Sequence, residues 1–217
     1  MGLESARYSA QVAGQIPEDG LLCAPCRMAA PPFARAVAYG AYEDELRELV
    51  QLLKYEGMRS LAEPLGLRLA EAIEMLAGSA APDLLVVAVP LFPANERARG
   101  YNQSVLLANV ALWELRRSHP AWRLIAGHSA LQRVKATRSQ FLFTPKGRRR
   151  NLQGAFSVPD PATVMGREVL LVDDIYTTGA TARACAGALQ RAGARKVWVA
   201  TVARAQREQV EFWDEYG

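Results

Sequence analysis

The segment Val169-Leu-Leu-Val-Asp-Asp-Ile-Tyr-Thr-Thr-Gly-Ala-Thr181 concentrates more chemistry than any other part of the chain. An apolar run ends in two acids, Asp173 and Asp174, and a threonine-rich turn follows. Val169 to Val172 reads as a strand buried on both faces, and α/β folds bind ligands beyond the carboxyl ends of such strands. In the turn, Gly179 permits close approach of the backbone. The N–H groups and hydroxyls of Thr177, Thr178, Gly179, Ala180 and Thr181 would form an anion cradle where a helix begins. Acids beside such a cradle suit a ligand that joins a phosphate to uncharged hydroxyls. A ribose 5-phosphate meets that description, with its phosphate in residues 177–181 and its diol on Asp173 and Asp174.

A second grouping lies upstream. Arg97 and Arg99 are separated by one residue, follow the apolar run Leu84 to Val89 and stand directly before Gly100. They form either a solvated basic loop or a pair of guanidiniums able to grip phosphate oxygens in bidentate fashion. Arg133, Lys135, Thr137, Arg138 and Gln140 sit in a polar, aperiodic stretch over 130–153, long enough to be functional or mobile. The run Arg148-Arg149-Arg150 is either a solvated face or a contact for nucleic-acid phosphates, with Phe141, Phe143 and Tyr101 as stacking partners. His119 and His128 have no recognisable catalytic context, and no Ser-His-Asp, H-E-x-x-H, Walker A or G-x-G-x-x-G pattern occurs.

The charge is unevenly spread. The chain has 217 residues and a formal net charge of +4. Between Arg97 and Arg150 there are twelve Lys or Arg residues and one acid, Glu114, a net +11; the remainder carries fourteen basic and twenty-one acidic residues, a net −7. Such segregation points to an anionic partner. The composition, 50% hydrophobic and 22% charged, excludes a disordered chain. The longest apolar stretch, Leu84 to Phe92, is about half the ~20 residues a membrane span needs, and Pro90 interrupts it. No membrane insertion is expected. With three cysteines and no visible signal peptide, a disulfide framework is disfavoured and the expected location is the cytoplasm.

The elements that must hold these groups follow from periodicity. The first thirty-odd residues show neither helical nor strand period, and the pattern begins at Ala41. Leu46, Leu49, Val50, Leu52 and Leu53 form an amphipathic helix behind Glu43-Asp44-Glu45, stopped at Gly57. A second helix is expected from Ser60, as N-cap, to Leu76. A strand over residues 84–90 leads to a charged loop and a helix from Asn102 to Arg117. The strand at Val169–Val172, a helix from Thr181 to Ala192 and a strand at Val197–Val202 make a βαβ unit with parallel strands. Trp113, Trp122 and Trp198 read as packing residues, and Cys185 as a helix-packing residue rather than a nucleophile.

The segment 169–181 closely resembles the phosphoribosyl-pyrophosphate (PRPP) motif of type I phosphoribosyltransferases. The strand followed by Arg97-Ala-Arg-Gly-Tyr-Asn-Gln103 resembles the ComF signature R-x-R-G-[FY]-N-Q. Leu131 to Gln140, Arg148 to Phe156, Pro31-Pro-Phe33 and Leu53-Lys-Tyr55 resemble further blocks of that family, so the likeness runs from about Cys23 to Arg204. It implies an α/β type I phosphoribosyltransferase fold, a parallel sheet flanked by helices, with a small N-terminal hood or degenerate zinc-finger-like arm. The implied division is an arm over 1–36, the phosphoribosyltransferase domain over 37–205 and a tail over 206–217. Implied too is PRPP as ligand, with Mg²⁺, and transfer of the phosphoribosyl group to an unknown acceptor with release of pyrophosphate. In that scheme Asp173 and Asp174 hold the ribose diol, Arg97 and Arg99 receive pyrophosphate, and Arg133 and Lys135 belong to a loop that closes over it.

The resemblance also implies a link to natural competence. A competing role is therefore a non-catalytic PRPP sensor or a single-stranded-DNA-binding factor beside a competence helicase. Relatives usually carry a C-x-x-C-G pair upstream of a second C-x-x-C, together a four-cysteine Zn²⁺ site. Here Cys23 and Cys26 remain, but Ala10 and Ala13 stand where the first pair belongs, so the site is half a zinc site and a metal-free arm is favoured.

Overall fold

Alternating burial along two apolar runs builds the centre of the molecule. The computed structural model describes residues 30–136 and 152–205. In chain order the elements are β1 (Arg35–Ala41), α1 (Asp44–Tyr55), α2 (Ala62–Glu74), β2 (Asp83–Ala88), α3 (Pro93–Arg99), α4 (Gln103–Ser118), β3 (Arg123–Ala126), β4 (Gln132–Arg133), β5 (Phe156–Ser157), β6 (Glu168–Tyr176), α5 (Ala180–Arg191) and β7 (Lys196–Arg204). Five strands form one parallel sheet in the order β1-β7-β6-β2-β3, and β4 and β5 form a separate antiparallel ribbon. The architecture is thus α/β, a parallel sheet flanked by helices, as the sequence led us to expect.

Because side chains alternate across a strand, each strand feeds two cores. Leu84, Val86, Leu170, Val172 and Trp198 pack with α1, α2 and α4 on one face. Leu85, Val87, Val169, Leu171, Val197 and Val199 pack with α5 and with Phe156 of the ribbon on the other. Helices α2 and α4 approach closely at Gly66, where a Cβ would lie 2.5 Å from the Cβ of Val110. Among the described residues no helix is long and apolar enough to cross a membrane.

Several local expectations need correction. Strand β1 was not anticipated; it is a seven-residue edge strand with one fully buried side chain, Val37, so its alternation is faint. The charged segment before Asn102 is not a loop but the short helix α3, with Pro93 in its first turn and Gly100 ending it in the left-handed region. Ser60 does not cap α2: it lies in a 3₁₀ turn, and the capping residue is Leu61, with no side-chain cap. Trp113 is 62% exposed beside Arg117 rather than packed, whereas Trp198 is buried. Cys23, Cys26, Ala10, Ala13, Thr137, Arg138, Gln140, Phe141, Phe143, Arg148 to Arg150 and the tail lie outside the described residues.

Candidate functional site

The order β1-β7-β6-β2-β3 contains a reversal. From β2 the chain crosses to β3 on one side, and from β6 it crosses to β7 on the other, so neighbouring β2 and β6 part at their carboxyl ends. Such a switch point opens a crevice in parallel α/β sheets. Here the crevice is deepened by unequal strand length. Strand β2 pairs with β6 only as far as Ala88 opposite Val172, while β6 continues to Tyr176 paired with β7 alone. Asp173 and Asp174 therefore lie within β6, not beyond its end, on the stretch that β2 leaves uncovered.

Each acid has a different partner. Ser104 Oγ, in the first turn of α4, donates to Asp173 Oδ1 at 3.0 Å, and the Asp174 N–H donates to the same oxygen at 3.0 Å. Asn102 fixes that turn: its side chain accepts from the Ser104 N–H and donates to the Val89 carbonyl. Asp174 is 3% exposed and forms an ion pair with Lys54 of α1, at 3.0 Å from Oδ2 to Nζ. Burial drives the Asp173 carboxyl up to about 7, the neighbouring Asp174 charge adds to this, and Lys54 and the two hydrogen bonds oppose it. Burial pulls Lys54 down, but the attraction of Asp174 and Asp173 prevails and its ammonium is held above the usual range.

The turn after β6 ends in a glycine in the left-handed region. Gly179 adopts φ 72° immediately before α5, and Thr177 and Thr178 are exposed. The Tyr176 hydroxyl lies so close that a Cβ on Gly179 would meet it at 2.2 Å. Tyr176 is in turn stacked by the Arg204 guanidinium, 5.2 Å from its ring centroid, and meets Phe33 edge-on. A pocket is lined here by Asp173, Tyr176, Thr177, Gly179, Ala180 and Thr181 together with Val89 and Thr201.

The arginine segment is joined to the end of α1 by a dense set of contacts. Arg99 donates to Gln103 Oε1 and lies 5.6 Å from the centroid of the Tyr55 ring. Arg59 stacks on Tyr101 at 4.6 Å and donates to the Gly100 carbonyl at 2.9 Å. Tyr101 is buried and its hydroxyl donates to the Leu53 carbonyl. Tyr101 is therefore a structural pin, which removes it from the stacking partners offered under the nucleic-acid alternative. Arg97 is exposed on the last turn of α3.

Arg133 sits on the other side of the sheet. It lies in the two-residue ribbon strand β4, one of the short extended pieces expected in this stretch, stacked 5.6 Å from the Phe156 centroid. Burial lowers its guanidinium, while Cys185 and the Asp173 charge pull the other way. Lys135 is exposed, two residues further on. Cys185 is fully buried on α5 and burial pushes its thiol well up, as fits a packing residue.

Among the described residues, the basic side chains of the +11 segment do not form one surface. Arg116 donates to the Leu124 carbonyl, Arg117 pairs with Glu114 and Arg123 lies 3.8 Å from Asp83, all at the amino end of the sheet. Among the described residues, Arg97 and Arg99 lie at the other end, on helix α3 beyond the carboxyl end of β2. His128 is an internal prop, its Nδ1 accepting from the Ala88 N–H while burial keeps the imidazole neutral. Among the described residues no group of three His, Cys, Asp or Glu side chains is placed to hold a metal ion.

Lys54, quoted from the sequence only within the Leu53-Lys-Tyr55 block and given no role, and Ser104 are the site residues that the sequence reading left unassigned. Lys54 is a basic residue in the last turn of a helix, ordinarily read as complementing the helix dipole. Ser104 lies two residues after Asn102, the N-cap of α4, and only its position opposite β6 gives it a role.

Comparison with known proteins bears on the whole chain. No family model matches it. It is 34% identical over 183 residues to the DNA utilization protein YhgH of Escherichia coli K12, covering 82% of this chain and 76% of that protein. The Salmonella typhi protein of the same name gives the same identity and coverage. Competence protein F of Haemophilus influenzae is 32% identical over 189 residues, covering 84% of this chain and 78% of the relative. With these relatives aligned over most of its length, and with the R-x-R-G-Y-N-Q segment and the two-acid strand on one crevice, the chain belongs to the ComF family.

Proposed function

We propose that the crevice binds PRPP and that the protein has the type I phosphoribosyltransferase fold, transferring the phosphoribosyl group to an acceptor nucleophile. The observation that carries this reading is the convergence, at the carboxyl end of β6, of the acid pair and the Gly179 turn, with Arg97 and Arg99 on the facing segment. In this reading the N–H groups and hydroxyls of residues 177–181 take the 5-phosphate. Asp173 and Asp174 accept hydrogen bonds from the ribose hydroxyls. Arg97 and Arg99 take the pyrophosphate, and Arg133 and Lys135 close on it from the ribbon side.

The bond from the anomeric carbon to the pyrophosphate oxygen breaks as positive charge develops on the ring. The electron pair leaves with pyrophosphate, and the acceptor then bonds to that carbon. Carboxylates beside the ring stabilise the developing charge, and arginines stabilise the departing one. In the empty crevice Asp174 is engaged by Lys54, while Asp173 has hydrogen bonds from Ser104 and the Asp174 N–H. Mg²⁺ fits as an ion carried by the ligand's phosphates, with Asp173 touching it or its water, and it would make pyrophosphate a better leaving group.

Isothermal titration of PRPP with Mg²⁺ tests the reading. The wild type should bind, and the Asp173→Asn/Asp174→Asn double variant should lose binding. Equal affinity in both would overturn the site. A screen of nucleophiles for pyrophosphate release then identifies the acceptor.

The names of the relatives, and the exposed Arg97 and Lys135, support a second reading in which the protein serves DNA utilization or competence by contacting single-stranded DNA. Contacts to about six phosphates would weaken DNA binding by roughly 10³ between 50 and 200 mM salt. A flat salt profile would leave only the small-ligand role.

A further inference from the structure

We propose that Lys54 is an exchangeable counter-ion of the site: it neutralises Asp174 when the crevice is empty and passes to the ligand's pyrophosphate when hydroxyls take its place on Asp174. The inference rests on the PRPP reading above and extends it to a residue that neither the motif nor the relatives' names assign.

The geometry has three parts. Asp174 is too deeply buried to stand alone as an anion, and its Oδ2 has Lys54 Nζ at 3.0 Å. The backbone at Lys54 is anchored, because the buried Tyr101 hydroxyl bonds to the carbonyl of Leu53. What can move is the ammonium, a compact charge with three donors on a flexible stem. The adjoining Tyr55 lies under Arg99, 5.6 Å from ring centroid to guanidinium. That contact brings the arginine-bearing segment beside the end of α1 that carries Lys54, so in the PRPP reading a pyrophosphate held there is the anion for the ammonium to pass to.

The exchange is chemically balanced without any covalent step. A diol donates to the Asp174 carboxylate, whose buried Oδ2 has an ion pair but no hydrogen-bond donor, and takes the place of the ammonium. A pyrophosphate offers the ammonium more negative charge than one carboxylate. A ligand with a diol but no pyrophosphate satisfies Asp174 and offers Lys54 nothing. Lys54 therefore distinguishes PRPP from ribose 5-phosphate, which a purely structural ion pair would not.

The test compares these two ligands by isothermal titration on wild type, Lys54→Gln and Lys54→Arg. For Lys54→Gln, PRPP affinity should fall about tenfold or more, the loss expected for one charge-assisted contact, while ribose 5-phosphate affinity changes less than about threefold. Lys54→Arg, which keeps the cation, should recover most of the PRPP affinity. Equal losses for both ligands, or no loss for either, overturn the proposal and leave the PRPP reading standing. If the wild type binds neither ligand, both fall together. Should Lys54→Gln fail to fold, lysine Nζ resonances of the wild-type protein supply the answer by NMR. A Lys54 signal that shifts with PRPP and barely with ribose 5-phosphate supports the exchange, and equal or absent shifts overturn it.

Discussion

Strand β6 begins with Glu168 and carries Asp173 and Asp174 towards its other end. At the amino end, Glu168 is 8% exposed, yet the chain satisfies it fully. Trp198 Nε1 donates to it at 2.8 Å, the Ala81 N–H at 3.0 Å, and Arg195 pairs with it at 3.0 Å. Burial pushes its carboxyl up, but these donors prevail and hold it below the usual carboxylate range. At the carboxyl end, Asp173 has two hydrogen bonds and a like charge beside it, and its carboxyl rises to about 7. One end of the strand holds an acid completed by its own fold. The other holds acids whose surroundings are incomplete, the usual condition of groups that meet a ligand.

The sharpest way to break this contrast is Glu168→Leu. It would strand the Trp198 and Ala81 donors in the interior and should cost about 3 kcal/mol in urea unfolding at pH 7. A cost near zero would mean that Glu168 is no structural keystone. Next in size is Gly179→Ala. The left-handed backbone and the Tyr176 hydroxyl both oppose a Cβ there, and thermal unfolding should register about 2 kcal/mol of lost stability. An unchanged melting temperature would mean that the turn relaxes.

The pH dependence sharpens the comparison. Asp173 has a folded value above its ordinary 3.8, so its contribution to stability is fully present below about pH 4 and is lost as pH rises through 7. Glu168 is depressed, so its contribution is present above its ordinary range and lost only as pH falls through the lower folded value. Asp173→Asn should therefore gain stability relative to wild type as unfolding is measured from pH 4 up to pH 8. Glu168→Gln should show the opposite trend, its penalty shrinking in acid. Parallel profiles would erase the distinction between the two ends. The smallest effect belongs to Trp113→Gln, on the exposed side of α4, which should shift stability by less than about 0.5 kcal/mol.

The legible parts of the molecule share a property: their signals lie close together in the chain. Asp173 to Thr181 fits within one strand, turn and helix start, and Asn102 caps α4 through a side chain two residues away. Helix α3 escaped because it buries no residue and so has no apolar period. Strand β1 escaped because an edge position leaves most of its side chains half-exposed. Tyr101 and Trp113 depart from expectation in opposite directions. Residue type offered Tyr101 as a stacking ring under the nucleic-acid alternative and Trp113 as a packed one, while their neighbours in space made Tyr101 a buried pin and left Trp113 in solvent.

The types and order of the side chains were enough to establish the parallel βαβ core, the acids on its central strand and the glycine turn after them, because periodicity and turn chemistry act between near neighbours. The division of the basic segment was not written there. Arg116, Arg117 and Arg123 reach the amino end of the sheet, whereas Arg97 and Arg99 lie on α3 beyond the carboxyl end of β2, because parallel strands send α4 back along the sheet before β3 begins. Nor was the state of the acids, since a carboxylate's charge depends on what surrounds it in space. Lys54 and Ser104 meet the pair only when α1 and α4 pack against β6, and that packing separates a salt-bridged Asp174 from an Asp173 poised near neutrality.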